Sequence, residues 1–172
     1  MVSMSANSAT QRIELSQPVQ AILDGNTPNS RLLGDYLRFL EAIIAPDGAG
    51  IDGVITTDAR FHELEEIGLP PGPQGLKIFR QQVNGACPDE HISIDSVRFV
   101  GDDILEADLD IRATHTGLEM MGIPAAGRKL RFGVGARNRF VDGRLAERWD
   151  VADFADIRRQ LTESGAGGVG SA

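Results

Sequence analysis

The second half of the chain contains two long segments in which apolar and polar residues alternate. In Ile104–Thr114 the apolar residues fall on odd positions, and in Lys129–Phe140 they fall on even positions. This period predicts antiparallel strands with one face on a core and the other face in water. Asp142-Gly143 is a hairpin turn signal, so Leu145–Val151 is predicted to return as the partner strand.

Helical spacing precedes and follows these strands. Pro28–Ser30 offers caps for a first long helix, and the proline-rich stretch 70–73 opens a second one. A short helix or turn is predicted for Ile55–His62, and Asp153 is predicted to cap a closing helix. Helices, then strands, then a last helix predict an α+β fold and not alternating parallel units.

The length of 172 residues suits one domain with a sizeable core. We expect that domain to span residues 29–162, preceded by a partly flexible extension at residues 1–28. Residues 163–172 are rich in glycine and have almost nothing to bury, so they are expected to form a flexible tail.

The charge balance restricts the partners of the chain. A formal net charge of −8 argues against nucleic acid and against an anionic membrane surface, because both need clustered Lys and Arg. No apolar run approaches the roughly 20 residues that span a bilayer, and residues 1–12 lack the apolar stretch of a secretory signal. With Cys87 as the single cysteine, these features lead us to expect a cytoplasmic protein.

Several short motifs identify a family resemblance. The segment 114–129 contains Thr-His-Thr-Gly, Gly-Ile-Pro and Gly-Arg-Lys, and the segment 139–150 reads Arg-Phe-Val-Asp-Gly-Arg-Leu-Ala-Glu-Arg-Trp-Asp. Together they resemble the SnoaL-like polyketide cyclases, which share the fold of nuclear transport factor two and ketosteroid isomerase. The resemblance covers roughly residues 29–161.

The resemblance implies both a fold and a chemistry. The implied fold is a cone-shaped α+β barrel, in which a strongly curved antiparallel sheet is wrapped by about three helices around an apolar pocket. The implied assembly is a homodimer built on the other side of the sheet. The named cyclases close a ring by intramolecular aldol condensation, with one aspartate as acid/base and with no metal or cofactor, while similar relatives are hydroxylases, isomerases and hydrolases.

The leading hypothesis is therefore a cofactor-independent enzyme that cyclises or isomerises a small, apolar, carbonyl-bearing, polyketide-like ligand. A second hypothesis is a non-catalytic domain that binds a ligand or dimerises. A third is an epoxide hydrolase or dehydratase type of enzyme that activates a water in the same pocket. No metal site is expected, because the three histidines are scattered and no pair has metal-ligand spacing.

Asp150 is the first candidate for the acid/base, and the hairpin register decides whether it faces the pocket. A two-residue loop at Asp142-Gly143 puts Trp149 on the face of Asn138, whereas a three-residue loop that includes Val141 puts Asp150 there. We favour the three-residue loop, because its glycine can close a bulged turn. The alternative for Asp150 is a salt bridge with Arg148 or Arg137.

The other candidate residues follow from the predicted faces and from the resemblance. His115 continues the apolar face of its strand and is the second catalytic candidate, although a hydrogen-bonded core role would also explain it. Arg148 stands where relatives often carry His, so it binds a ligand carboxylate or pairs with Asp150 and silences it. The remaining candidates for ligand contact are Tyr36, His62, Met121, Phe132, Val134 and Asn138.

Overall fold

The computed structural model describes residues 12–163, which form one curved, unclosed sheet of six strands with six helices. The elements in chain order are β1 Ile13–Leu15, α1 Gln17–Asp24, α2 Pro28–Ile44, α3 Ile51–Val54, β2 Ile55–Phe61, α4 His62–Glu66, α5 Gly72–Ala86, β3 His91–Val100, β4 Ile104–His115, β5 Arg128–Val141, β6 Arg144–Ala152 and α6 Phe154–Thr162. The predicted mixed fold is confirmed.

The predicted helices form where local signals place them. α2 begins after Thr27, whose hydroxyl accepts a hydrogen bond from the backbone N–H of Ser30. The Ser30 hydroxyl in turn accepts one from the backbone N–H of Thr27. This reciprocal pair satisfies two of the N–H groups that a helix start leaves free. α6 begins after Asp153, whose carboxylate accepts the Asp156 N–H at 2.9 Å, as predicted.

The sheet has the order β1-β3-β4-β5-β6-β2, and its four central strands pair antiparallel. The two edge strands pair parallel to their neighbours, β1 with β3 and β2 with β6. We call the face that carries Leu105, Ala107 and Leu109 the inner face, because these residues are almost fully buried in the main core against α2. The opposite face is the outer face.

The helix or turn predicted for Ile55–His62 is wrong. Residues 55–61 form strand β2, and a helix begins only at His62. The buried residues are Ile55, Ala59 and Phe61. The spacing of four from Ile55 to Ala59 fits a helix as well as a strand, so in a segment this short the pattern does not decide between them. Pairing with β6, which lies more than 80 residues away in sequence, settles the strand conformation.

The later part of the predicted N-terminal extension belongs to the fold. Ile13–Leu15 pairs with β3, and α1 packs on α2 with Val19 buried. Of the predicted extension at 1–28 and the predicted tail at 163–172, residues 1–11 and 164–172 lie outside the described residues. The boundaries predicted for the domain and its flanking segments stay predictions.

The hairpin between β5 and β6 differs from the favoured three-residue loop. Val141 pairs with Arg144, so the loop is the two residues Asp142-Gly143, and both have positive φ, 51° and 78°. This is the conformation of a two-residue hairpin turn for which Asp-Gly is well suited. The loop prediction was therefore wrong.

A β-bulge in β6 nevertheless places Asp150 on the predicted face. Phe140 pairs with Leu145 and Arg139 pairs with Glu147, so Ala146 is an extra residue on β6. One extra residue exchanges the two faces of everything beyond it. Arg148 consequently lies opposite Asn138, and Asp150 lies opposite Ala136.

Candidate functional site

Arg148 is the centre of a buried polar cluster on the inner face of β6. Its Nε donates to Oδ1 of Asp150 at 2.7 Å, and its Nη1 donates to Oδ1 of Asn138 at 3.2 Å. The guanidinium lies over the ring of Phe39, 5.2 Å from the ring centroid. Only 7% of the Arg148 side chain is exposed, whereas 21% of the Asp150 side chain is exposed. Asp150 is thus the member of the pair that solvent or a ligand can reach.

Asn138 is fully buried and holds the orientation of this cluster. Its Nδ2 donates to the backbone carbonyl of Leu105 at 3.1 Å, across the pairing of β4 with β5. Because that bond commits the amide nitrogen to Leu105, the amide oxygen is directed to Arg148. Of the two roles predicted for Asn138, a brace of the sheet or a ligand donor, its hydrogen bonds match the brace.

Two further side chains approach the ion pair and lack partners. The Tyr36 hydroxyl from α2 and Oε2 of Glu63 from α4 are buried and meet no described residue at hydrogen-bond geometry, although Arg148 and Asn138 come close enough to the hydroxyl to oppose the rise of the Tyr36 pKa. An unpaired buried polar group costs about 1–3 kcal/mol, so an orphaned group in a native protein calls for an explanation. Thr56 carries the third orphaned side-chain atom of the described residues.

The electrostatics show that these groups lie close together. Burial and the nearby Asp150 carboxylate raise the pKa of Glu63 to about 7, although Arg148 opposes the shift. Burial is also the main cause that raises the pKa of Tyr36, with smaller effects from Arg148 and Asp150. The pKa of Arg148 is raised despite its burial, because Asp150, Tyr36 and Glu63 surround it. The charge of Arg148 therefore acts on two carboxyl groups and on the Tyr36 phenol.

Glu63 is a site residue that the sequence pattern does not predict. A helix or turn over Ile55–His62 includes no change of direction at the end of β2, so it does not place Glu63 beside Asp150. The available signal was an acidic residue directly after Phe61-His62, in the first turn of a helix that follows an apolar strand end.

His62 lies on the outer face of β6, on the side opposite to Asp150. Its ring stacks on Trp149 with 4.8 Å between ring centroids, and its Nε2 lies 2.8 Å from Oε2 of Glu147. Glu147 and Trp149 alternate with Arg148 and Asp150 along β6. The structure therefore does not bring His62 together with the polar cluster, and ligand contact by His62 stays a prediction.

His115 lies at the far end of β4 from the cluster. Asp150 pairs with Ala136, and Ala136 pairs with Ala107 of β4, so Ala107 marks the level of the cluster on that strand. His115 is eight residues beyond Ala107. At a rise of about 3.3 Å per residue, this corresponds to roughly 26 Å along the strand. His115 is 1% exposed, and its Nε2 is 2.7 Å from the carbonyl oxygen of Leu118. Its catalytic role stays a prediction, and this placement favours the alternative of a hydrogen-bonded core histidine.

Of the apolar candidates, two lie on β5 between the polar cluster and the level of His115, and one lies in a loop outside the sheet. Phe132 and Val134 are half-buried on β5 and pack against the main core, opposite Ile111 and Leu109 of β4. Met121 is exposed in a loop with φ of 53°, where its carbonyl accepts a bond from Arg158. Phe132 and Val134 thus lie on the same face as the polar cluster, and Met121 lies away from it.

A groove of about 550 Å³ lies elsewhere, at the end of the sheet formed by β1, β3, β4 and β5. Its lining includes charged side chains that pair with one another: Glu14 lies 3.3 Å from His91 and 3.6 Å from Arg112. This groove is not the apolar pocket that the resemblance implies.

Between residues 12 and 163, no group of three His, Cys, Asp or Glu side chains is placed to hold a metal ion. No helix in the same range has both the length and the apolar character to cross a membrane.

Comparison with known proteins identifies the fold and the family. The family model described as SnoaL-like polyketide cyclase matches residues 35–161. Among solved structures, TsrD from Streptomyces laurentii is similar with a TM-score of 0.68 and 22% identity, over 77% of this chain and 96% of that chain.

Two further structures from the same genus are similar. IdmH from Streptomyces antibioticus, described as a candidate polyketide cyclase, has a TM-score of 0.63 and 24% identity, over 77% of this chain and 99% of its own. AclR from Streptomyces galilaeus, described as a candidate hydroxylase, has a TM-score of 0.59 and 23% identity, over 76% of this chain and 96% of its own. At these identities the likeness shows the fold alone. No curated protein matches the chain significantly.

Proposed function

The chain belongs to the SnoaL-like polyketide cyclase family, and from that premise we propose that it is a cofactor-independent enzyme. Its substrate is a small, mostly apolar, carbonyl-bearing compound of the polyketide type. Asp150 and Glu63 move a proton on this compound, which leads to aldol-type ring closure or isomerisation.

One observation carries this proposal. Two of the three orphaned buried side-chain atoms of the described residues, on Tyr36 and Glu63, belong to groups that surround the Arg148–Asp150 pair. Orphaned donors and acceptors beside a partly exposed carboxylate are what a site for an oxygen-bearing ligand requires. Perturbed carboxyl groups also cluster at functional sites more than elsewhere.

In the proposed mechanism each group has one role. Asp150, held by Arg148 through Oδ1, takes a proton from the carbon next to the substrate carbonyl. The Tyr36 hydroxyl donates a hydrogen bond to the carbonyl oxygen, which becomes the enolate oxygen. The enolate carbon attacks a second carbonyl, a carbon–carbon bond forms, and protonated Glu63 gives its proton to the resulting alkoxide. The proton on Asp150 then restores Glu63, so the net reaction is an isomerisation of the substrate.

A general acid works best when its pKa lies near the operating pH. Glu63, with a pKa of about 7, is partly protonated at neutral pH, which suits it to donate and regain a proton. Two carboxyl groups whose environments separate their protonation states are a recurring basis for acid/base pairs.

The test is turnover of an aromatic polyketide β-keto ester by the wild type, by Asp150→Asn and by Glu63→Gln. A positioned acid or base is worth about 100- to 10,000-fold, so each variant should lose turnover on that scale while binding is kept. The matched control is Asp110→Asn, which removes an aspartate paired with Arg131 on the outer face. Equal rates in wild type and variants would remove both residues from the mechanism, and binding without turnover would support the non-catalytic alternative.

The same cluster also favours a second candidate function, the opening of an epoxide by an activated water. Such a reaction needs several polar groups around one water, and the candidates here are Asp150, Glu63 and Tyr36 beside Arg148. A carboxylate would take a proton from water, the water oxygen would attack the epoxide carbon, and Tyr36 or Glu63 would protonate the leaving oxygen. Incorporation of ¹⁸O from labelled water into a diol would identify this reaction, whereas deuterium uptake beside a carbonyl would identify the first.

The assembly is a separate proposal. We infer a homodimer through the outer face, on the basis of the family resemblance and of the exposed Val151 and Phe154 near the end of β6. Light scattering of the purified protein tests it, and a monomer at all concentrations would contradict it. The cytoplasmic location stays a prediction from the sequence.

A further inference from the structure

The junction between β2 and α4 places two consecutive residues on opposite faces of β6. Phe61, the last residue of β2, pairs with Arg148 and is 2% exposed. His62 then contacts the outer face, and Glu63 lies near Asp150 on the inner face. The position of the Glu63 carboxyl therefore depends on how this junction is held.

Helix α4 cannot hold itself in place. It has five residues, from His62 to Glu66, and its N-terminal cap Phe61 provides no side-chain hydrogen bond. Isolated helices this short are not stable in water, so tertiary contacts must fix its first turn. The pairing of β2 with β6 shifts register between Ile55 and Arg60, and only Arg60 and Phe61 pair with β6 next to the junction.

The start of α4 is held by the contacts of His62 and by the Arg60–Glu65 ion pair, whose Nη2–Oε2 distance is 2.9 Å. We call His62, Arg139, Glu147 and Trp149 the outer cluster. The imidazole is parallel to the Trp149 ring within 10°, and its Nε2 bonds Glu147 at 2.8 Å. Arg139 holds the other oxygen of Glu147 at 3.4 Å. The hydrogen bond from His62 is the main cause that lowers the pKa of Glu147, which indicates a charge-assisted contact.

We propose that His62 is a positioning residue, which anchors the start of α4 on Glu147 and Trp149 so that Glu63 faces Asp150. This inference rests on the proposed function for its catalytic meaning, but its structural content stands by itself. On the inner side the same turn is anchored by Leu64, which is 3% exposed. With the outer anchor removed, the Glu63 carboxyl moves away from the Arg148–Asp150 pair and into water.

The decisive experiment measures Glu63 without using turnover. The protein is labelled with ¹³C at glutamate carboxyls, and Glu63→Gln assigns the resonance of Glu63. The wild type, His62→Ala, His62→Gln and His91→Gln are then titrated. His91 is the matched control, since it also lies beside a glutamate, Glu14, at 3.3 Å.

We expect Glu63 to titrate near pH 7 in the wild type, and its pKa to fall by about one unit or more in His62→Ala, because water removes the desolvation. His62→Gln, which keeps an N–H donor for Glu147, should retain most of the shift, and His91→Gln should retain all of it. An unchanged Glu63 titration in His62→Ala overturns the proposal. So does a wild-type Glu63 that titrates in the ordinary glutamate range.

Two further measurements separate the possible failures. Trp149 is the only tryptophan, so its fluorescence reports whether the stacking of the His62 ring has been lost. The urea midpoint of the same variant shows whether it is folded. The groups that face His62, namely Glu147, Glu65, Arg60 and Arg139, are unchanged in every variant. If turnover is found, His62→Ala should lower kcat about 100-fold with little change in KM, since small misplacements cost on that scale. Absence of turnover would count against the proposed function and leave the carboxyl titration to decide the role of His62.

Discussion

Arg148 and Asp150 lie two residues apart on one face of β6, and the Arg148 guanidinium donates to the Asp150 carboxylate at 2.7 Å. Glu63 approaches the same pair from α4, and Arg148 opposes the rise of its pKa, so one buried cation acts on two carboxyl groups. This electrostatic coupling is the basis of the first two predictions.

Arg148→Met should destabilise the fold strongly at pH 8. Removal of the cation leaves two carboxylates in a largely buried position, and the loss of one partner of a buried pair costs about 3–5 kcal/mol. The loss should be smaller at pH 5, where Glu63 is protonated. Urea unfolding at both pH values measures it. Arg131→Met, which breaks a pair whose arginine is 73% exposed, should cost less than about 1 kcal/mol, and an equal cost for both variants would contradict the prediction.

Glu63 should make the protein less stable as the pH rises from about 4.5 to 7. Its pKa is about 7 in the folded protein and 4.5 when unperturbed, so in this window the folded state binds more protons than the unfolded state. Stability then falls with rising pH, by up to about 3 kcal/mol for this group. Its contribution becomes constant only well above pH 7, where the folded state is also deprotonated.

Glu63→Gln should remove that part of the slope, as measured by urea unfolding at four pH values between 5 and 8. Glu66→Gln, on the exposed side of the same helix, should leave the slope unchanged. A slope that survives in Glu63→Gln would show that another group causes it.

Tyr36→Phe should leave the ligand-free protein as stable as before or stabilise it by up to about 1 kcal/mol, because the hydroxyl is buried without a partner. Asn138→Ala, by contrast, removes an amide that bonds both Leu105 and Arg148, and should cost about 1–3 kcal/mol. Thermal unfolding compares the two variants. If Tyr36→Phe costs as much as Asn138→Ala, the phenol already has a partner, such as an ordered water, in the free protein.

Deletion of Ala146 should abolish the native fold. Without the extra residue the faces of β6 beyond the bulge are exchanged, so Glu147 and Trp149 turn towards the core and Arg148 and Asp150 turn outwards. Near-ultraviolet circular dichroism of Trp149 and urea unfolding measure the outcome. Ala146→Gly keeps the residue count and should remain folded. A deletion variant with native spectra would mean that the hairpin shifts its register elsewhere.

The amino-acid sequence by itself determined the elements that adjacent residues specify. The alternation in β4 and β5, the presence of a hairpin at Asp142-Gly143, α2 with its proline start and α6 with its Asp153 cap were all predictable, because each depends on residues that are neighbours in sequence. The length of the hairpin loop was not. The family motifs added the fold and pointed to Asp150. Each of these signals lies within a short segment and can be interpreted without knowledge of the rest of the chain.

Only the tertiary structure decided how the site is assembled. The bulge at Ala146, the strand conformation of β2 and the inward position of Glu63 all depend on pairing between segments that are far apart in sequence. A local pattern fits either hairpin register equally well, and burial against α2 and β4 selects one of them. The physical reason is that the register is chosen by the free energy of the whole packed sheet, and the side chains that meet at Arg148 come from four elements that become neighbours only in that sheet.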